Sequence, residues 1–214
     1  MNILLTSVGR RSYMVQYFKN ALKGKGCKPY FIPGGGHGII GTQAYIDCYR
    51  EISNQASSLG IKFDYIFHAS GTGTTQSGLV CGEIIDGGGE QIIGISIARK
   101  NPEGRRVVVD SVKEYLAAHD WGVEDTKIEE SVVFVDSYTG AGYAQSCDEI
   151  KKNIQILWKL HGIPTDSTYT GKAYTGMLNY IKMNDIKNKN ILFIHTGGVP
   201  LFFDAIDQTI ECCK

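Results

Sequence analysis

Several features that identify common protein classes are absent from this sequence. Its 22 basic and 22 acidic residues leave no excess charge, so nothing favours a nucleic-acid or anionic-membrane surface. Its apolar runs fall well short of the roughly 18 residues of a membrane span. The apolar start at residues 3–5 is too short for a signal peptide. The six cysteines form no C-x-x-C pair, which argues against a metal site and favours reduced thiols. We therefore expect a cytoplasmic protein without a bound metal.

Proline is scarce and glycine is abundant. The chain has 5 prolines, 26 glycines and 43% hydrophobic residues, which suits an α/β protein with a full core and many tight turns. Strand-like runs are predicted at residues 2–6, 29–32, 65–67, 91–98, 131–135 and 190–194. Helix-like segments alternate with them at residues 12–22, 41–58, from 78 onward, 105–119, 146–160, 171–182 and 200–206. This alternation predicts one α/β domain, residues 1–214, with a mostly parallel sheet and helices on both faces.

The most informative stretch runs from Phe63 to Gly78. Tyr65–Phe67 reads as a buried strand, and a turn rich in glycine and hydroxyl groups follows it. Gly78 then opens an apolar, helix-compatible segment. Glycines let the backbone approach a ligand closely, and the N–H groups and dipole of a helix start favour an anion. The pattern therefore predicts a phosphate-bearing ligand, held by Gly71, Thr72, Gly73, Thr74 and Thr75. The alternative is an ordinary strand-to-helix turn. The pattern matches neither of the specific phosphate-binding motifs, the Walker loop and G-x-G-x-x-G.

Three glycine-rich loops follow predicted strands. They lie at residues 34–38, 71–75 and 196–198. Ligands of parallel α/β sheets bind at the carboxyl ends of the strands. We therefore expect the three loops to line one crevice.

Four segments, in the same order, resemble the pyridoxal-phosphate enzymes that include D-cysteine desulfhydrase and 1-aminocyclopropane-1-carboxylate deaminase. They are residues 30–36 (YFIPGGG), 69–78 (ASGTGTTQSG), 168–173 (TYTGKA) and 192–200 (LFIHTGGVP). Gly142-Tyr143 fits a fifth position, and the match runs from about Cys27 to Asp204. The resemblance implies the large domain of the tryptophan synthase β-like fold (fold type II), pyridoxal 5'-phosphate as cofactor, a small amino-acid substrate and a homodimer.

The resemblance also implies roles for single residues. The turn from Gly71 to Thr75 matches the loop that binds the cofactor phosphate. Tyr169 is similar to the tyrosine that lies against the cofactor ring and reaches the substrate, and Tyr143 is similar to a second active-site tyrosine. For both, the alternative is a core aromatic. Thr196, followed by Gly197, is a candidate partner of the pyridine nitrogen or a helix N-cap.

Thr170 separates two branches of the family. The deaminase branch has glutamate at this position, beside the pyridine nitrogen, and the desulfhydrase branch has threonine. A neutral hydroxyl makes a weaker electron sink, which suits β-elimination better than the opening of a strained ring. The resemblance thus implies a lyase or deaminase of the D-cysteine desulfhydrase type, which forms an oxo acid and ammonia, and sulfide from D-cysteine.

Other parts of the family pattern are missing. Full-length members carry, before this region, the lysine that forms a Schiff base, a nearby serine and most of a smaller domain. Lys172 resembles a structural residue of its motif. Met1–Leu22 instead resembles the first strand and helix of ATP-grasp proteins, without their nucleotide-binding motifs. The single domain is thus interpreted as an ATP-grasp-like start at residues 1–26 and a pyridoxal-phosphate-enzyme-like region at 27–204.

These departures leave three hypotheses. The chain is a lyase or deaminase, a noncatalytic remnant that binds pyridoxal phosphate or phosphate, or a subunit that completes its fold with a complementing chain. A truncated, fused or split gene would account for the missing lysine. A phosphate loop without the lysine predicts cofactor binding without turnover.

Overall fold

A computed structural model describes residues 8–139, 142–143 and 146–204. Contacts between residues divide the chain into two compact units, with the boundary between Gly34 and Gly35. The assignment of one domain, with its internal division after residue 26, stays a prediction. The helices are α1 (Arg11–Gly24), α2 (Ile39–Ser58), α3 (Thr74–Asp86), α4 (Glu103–Ala118), α5 (Asp125–Ser131), α6 (Asp148–His161), α7 (Thr170–Met183) and α8 (Val199–Asp204). The strands are β1 (Tyr65–Ser70), β2 (Gln91–Ser96), β3 (Val133–Val135) and β4 (Ile191–Phe193).

The strands form one parallel sheet in the order β3-β2-β1-β4. Strand β1 pairs with β2 over its whole length, from Tyr65 opposite Gln91 to Ser70 opposite Ser96. On its other edge β1 pairs with β4, beginning with Tyr65 opposite Ile191. The predicted parallel α/β sheet is confirmed. All four carboxyl ends lie at the same edge because parallel strands run in one direction.

Both faces of the sheet are buried, which explains why β1 begins with three consecutive aromatic or aliphatic residues, Tyr65–Phe67. Ile66 belongs to a core cluster that contains residues of α2, α3, α4 and α5. Phe67 and Ala69 belong to a second cluster, which contains Ala173 and Met177 of α7. The alternating side chains of β1 thus point to two separate layers of helices.

Glycine brings helices α2 and α3 close together. A Cβ on Gly78 would overlap Tyr45 and the carbonyl oxygen of Thr42, and one on Gly82 would overlap the ring of Tyr49. The Tyr49 hydroxyl in turn donates a 2.8 Å hydrogen bond to Glu90. Helix α3 is therefore packed against α2 along its buried face, which fixes the position of its first turn.

One predicted strand is absent, one helix was not predicted, and one predicted strand lies outside the described residues. Residues 29–32 form no strand: Pro29 has no N–H to donate and Pro33 follows, which disfavours a ladder. The helix α5 was not predicted, because its sequence is polar and only Ile128 is buried. The strand predicted at residues 2–6 falls within the undescribed residues 1–7. In the described part of the chain, no helix has the length and apolar character to span a membrane.

Candidate active site

The predicted anion loop follows β1 directly. Gly73 has φ +99°, in the left-handed region, and α3 begins at the next residue. The first hydrogen bond of the helix runs from the Ser77 N–H to the Gly73 carbonyl, at 2.8 Å. The N–H groups of Thr74, Thr75 and Gln76 precede it and have no partner within the helix. They are the donors that an anion at a helix N-terminus uses.

Hydroxyl groups and one cation surround this turn. The Thr72 and Thr74 hydroxyl oxygens lie 3.2 Å apart. The Arg99 guanidinium donates a 3.1 Å hydrogen bond to the Thr72 carbonyl. A Cβ on Gly35, which has φ +69°, would overlap the Thr72 side chain. As the sequence predicts, the glycine loop near residue 35 therefore lies against the loop at residues 71–75.

A buried carboxylate organises the start of α7. Asp166 is 1% exposed, and its Oδ2 accepts hydrogen bonds from the N–H groups of Thr168 (2.8 Å) and Tyr169 (2.7 Å). Its Oδ1 accepts from the N–H and the hydroxyl of Thr170, both at 2.9 Å. The sequence reasoning missed Asp166. The signal was an aspartate shortly before a predicted helix, which is a typical N-terminal cap.

The hydroxyl of Thr170 is therefore already engaged. It donates its proton to Asp166 and accepts a 3.2 Å hydrogen bond from the Asp166 N–H. One lone pair remains, so in this arrangement the hydroxyl offers a further partner an acceptor rather than a donor. Its predicted contact with a pyridine nitrogen stays a prediction, restricted to a ring nitrogen that carries a proton.

The two predicted active-site tyrosines meet. The hydroxyls of Tyr143 and Tyr169 form a hydrogen bond, and their rings lie edge to face with centroids 5.9 Å apart. The hydrogen bond with Tyr143 and then burial raise the pKa of Tyr169 to about 12. Tyr169 therefore carries its proton at neutral pH. Tyr143 is 56% exposed, so the pair reaches solvent on one side and does not form a closed core contact.

The loop after β4 contacts the same carboxylate. A Cβ on Gly198, which has φ +86°, would overlap the Asp166 side chain. Gly197 has φ +113° and its N–H donates to Nδ1 of His195 at 3.4 Å. Thr196 is exposed. His195 is exposed and its Nε2 lies 2.7 Å from the Pro164 carbonyl oxygen, since β4 already ends at Phe193.

Lys172 joins α7 to two loops at the carboxyl edge. Its side chain is buried, and its Nζ donates 3.1 Å hydrogen bonds to the carbonyls of Ile97, Thr139 and Gly142. Burial lowers the pKa of the ammonium. Ile97 directly follows β2, so this contact places the first turn of α7 at the same sheet edge as the anion loop.

Comparison with known proteins identifies the family. A family model described as "Pyridoxal-phosphate dependent enzyme" matches residues 6–197. This chain belongs to the pyridoxal-phosphate dependent enzyme family. The match includes the anion loop, the tyrosine pair, Asp166 and Lys172.

Three proteins are similar to this chain over most of its length. A Pyrococcus abyssi protein provisionally named 1-aminocyclopropane-1-carboxylate deaminase is 33% identical over 193 residues, which is 89% of this chain and 56% of the relative. The 1-aminocyclopropane-1-carboxylate deaminase of Burkholderia cenocepacia is 32% identical over 177 residues, 82% of this chain and 52% of that protein. A crystal structure described as an ACC deaminase homologue superimposes with TM-score 0.83 and 30% identity, over 98% of this chain and 61% of that one. The chain spans about half the length of the curated relatives it matches.

The family match extends into the N-terminal segment. It begins at residue 6, inside the segment Met1–Leu22 that resembles ATP-grasp proteins. The structural match covers 98% of the chain. Residues 6–22 thus lie within the family match, and the ATP-grasp-like start at residues 1–26 stays a prediction.

The described residues fit the phosphate of pyridoxal phosphate, the cofactor on which the family depends. The left-handed Gly73 opens α3 without a side chain over the turn, and the N–H groups of Thr74 and Thr75 follow it. The hydroxyls of Thr72 and Thr74 add donors, and Arg99 adds positive charge beside them. Helix N-termini with these features bind phosphate. The assignment of Gly71–Thr75 to the cofactor stays a prediction on this basis.

The tyrosine pair predicts how Tyr169 titrates. Tyr143→Phe is expected to lower the pKa of Tyr169 from about 12, because the hydrogen bond with Tyr143 is the largest cause of its shift. A raised pKa stabilises the folded state below the ordinary value of 10.0 and loses this effect as the pH rises toward about 12. The variant should therefore lose less stability between these pH values. Ultraviolet titration and chemical unfolding at several pH values measure both effects, with Tyr17→Phe on α1 as the control.

Proposed function

We propose that this chain supplies the phosphate-binding and substrate-facing part of a pyridoxal-phosphate-dependent lyase of the D-cysteine desulfhydrase type. Such an enzyme converts a small amino acid to an oxo acid and ammonia, with sulfide from D-cysteine. The observation that carries the proposal is the turn at Gly71–Thr75, where a left-handed glycine opens a helix beside two threonine hydroxyls and an arginine. We further propose a cytoplasmic homodimer, or a complex with a complementing chain.

In such a site the residues of this chain have separate roles in binding the cofactor phosphate and in contacting the substrate. When bound, pyridoxal phosphate supplies the electron sink for bonds broken next to the amino group. The N–H groups of Thr74 and Thr75 and the hydroxyl of Thr72 hold the phosphate. Tyr169 presents a protonated hydroxyl to the substrate at neutral pH, and its raised pKa of about 12 extends that protonated state beyond the ordinary value of 10.0. Tyr143 orients that hydroxyl through the hydrogen bond between the two.

Thr170 supports elimination rather than ring opening. Its hydroxyl donates to the Asp166 carboxylate, so it adds no negative charge of its own at the site. A neutral group beside the ring favours the proton on the pyridine nitrogen less than a carboxylate does. The proposed reaction therefore needs a leaving group, such as the thiol of D-cysteine, that takes the electron pair.

A second candidate is deamination of 1-aminocyclopropane-1-carboxylate. The names of the relatives from Pyrococcus abyssi and Burkholderia cenocepacia favour it. The two candidates differ in one product, since D-cysteine yields sulfide and the cyclopropane amino acid does not. The variant Thr170→Glu installs the residue of the deaminase branch and would favour ring opening.

A pyridoxal-phosphate-dependent lyase also needs a lysine that binds the cofactor covalently. Lys172 is buried, and its three protons are donated to backbone carbonyls. We propose that another lysine, outside these 214 residues, performs that function from a preceding segment or a complementing chain. The alternative is a noncatalytic protein that binds the cofactor through its phosphate alone.

One experiment separates these outcomes. The purified chain is mixed with pyridoxal phosphate, its visible spectrum is recorded, and borohydride reduction is followed by peptide mapping. D-cysteine and 1-aminocyclopropane-1-carboxylate are then assayed for oxo acid and sulfide. Sulfide and an oxo acid from D-cysteine support the proposed lyase. Binding by the chain alone, without a modified lysine or turnover, is expected of both candidates, so the assay is repeated with the preceding, lysine-bearing segment of a full-length relative added in trans. Turnover that appears only with that segment supports the lyase, continued absence of turnover supports the noncatalytic alternative, and no binding at millimolar cofactor overturns both.

A further inference from the structure

We propose that Lys172 is a positioning residue that holds the loop bearing Tyr143 against the helix start bearing Tyr169. The inference rests on the proposed function only in treating the two tyrosines as part of the substrate site. Lys172 itself touches neither tyrosine hydroxyl. It acts through the backbone of the segments that carry them.

The ammonium is matched to its surroundings atom by atom. A lysine ammonium has three protons, and Nζ has three acceptors, the carbonyl oxygens of Ile97, Thr139 and Gly142, each at 3.1 Å. Ile97 follows β2, whereas Thr139 and Gly142 lie in the segment that follows β3. One side chain of α7 therefore ties together two loops at the carboxyl edge of the sheet.

Both tyrosines lie close in sequence to a residue that takes part in the Lys172 contacts. Gly142 is the residue before Tyr143, and its φ of +130° is a conformation that favours glycine. Tyr169 directly precedes α7, three residues before Lys172. The hydroxyls of Tyr143 and Tyr169 form their hydrogen bond between these two anchored segments. Loss of the ammonium would release the first segment and leave the second in place, because Asp166 caps it independently.

The cost of burying the Lys172 ammonium also supports a positioning role for this residue. The three acceptors of Nζ are neutral carbonyls, and the side chain is fully buried. Burying an ammonium disfavours folding unless every proton is satisfied. An apolar side chain would fill this position at a lower desolvation cost but would leave the three carbonyls without donors. The three carbonyls therefore require the three donors of the ammonium, which holds the two loops to α7.

The test is chemical rescue of a truncated side chain. Lys172→Ala removes three methylene groups and the ammonium, which propylammonium replaces atom for atom. We expect Tyr169 in Lys172→Ala to titrate at least about one pH unit closer to the ordinary tyrosine value near 10, and propylammonium to restore the shift. Lys172→Met is the matched control: its unbranched side chain fills the space up to the position of the lysine Cε without a donor, leaves no room for the propyl chain and should show no rescue. Ultraviolet titration measures the tyrosines, and the difference from Tyr169→Phe gives the titration of the Tyr169 hydroxyl.

This test can succeed or fail independently of the proposed function, because the titration of Tyr169 uses no pyridoxal phosphate. Recovery of the Tyr169 shift by propylammonium in Lys172→Ala alone supports the positioning role. A Tyr169 pKa that stays at about 12 in folded Lys172→Met overturns it, and this readout decides the case even if Lys172→Ala does not fold. Rescue of both variants equally by the amine would also overturn it, since that would be a general salt effect.

Discussion

Gly73→Ala is expected to weaken the binding of pyridoxal phosphate by more than about tenfold. Gly73 has φ +99°, and strain of a non-glycine residue in such a conformation costs on the order of 1–3 kcal/mol. Its new Cβ would also lie 3.3 Å from Cγ2 of Val108 and 3.6 Å from Cγ1 of Val107, both in α4. The strain at positive φ, together with the tight contact to Val108, favours a shift of the turn, which moves the N–H groups of Thr74 and Thr75 away from the phosphate. Each 1.4 kcal/mol lost changes the dissociation constant about tenfold.

The control for this variant lies at the other end of the same helix. Gly87 caps α3 with φ +73°, and a Cβ there meets nothing within 4 Å. Gly87→Ala should lower stability through the same kind of strain and leave cofactor binding unchanged. Calorimetric titration with pyridoxal phosphate and with pyridoxal, which lacks the phosphate, measures the specific effect. Equal weakening of both ligands by Gly73→Ala would contradict a phosphate site at this turn.

The anion loop was predictable from sequence because its determinants are local. A buried strand, a glycine that adopts positive φ and a helix start occupy consecutive positions, so spacing alone places N–H groups around Thr74. The parallel sheet was predictable for a similar reason. The strands carry consecutive apolar residues, such as residues 92–95 of β2, because the sheet is covered on both faces.

The remainder of the site depends on contacts between distant segments. The hydrogen bond between Tyr143 and Tyr169 joins residues 26 positions apart, and no pattern in either segment requires the other. Lys172 reaches Ile97 across 75 positions. The resemblance to the family assigned the tyrosines to one site but said nothing of their contact with each other. The strand predicted at residues 29–32 failed for a local reason, because Pro29 has no N–H to donate and Pro33 follows.

Asp166→Ala is expected to lower the free energy of unfolding by about 3 kcal/mol. Three backbone N–H groups, those of Thr168, Tyr169 and Thr170, donate to this carboxylate, and the Thr170 hydroxyl donates to it as well. A buried donor left without a partner costs about 1–3 kcal/mol, and loss of a helix cap costs about 0.5–2 kcal/mol. Contributions within one turn overlap and do not add in full. Urea unfolding gives the total, and amide hydrogen exchange at residues 168–170 localises it.

Asp166→Asn is the matched control, since it keeps one acceptor oxygen and nearly the same shape. We expect it to lose less stability than Asp166→Ala and to retain slow exchange at the N–H groups that the remaining oxygen serves. Because Gly198 packs against the Asp166 side chain, the alanine variant should also speed exchange in the loop after β4. Unchanged exchange there would mean that the loop and α7 are held by separate contacts. Equal destabilisation in both variants would show that the charge, rather than the number of acceptors, stabilises the start of α7.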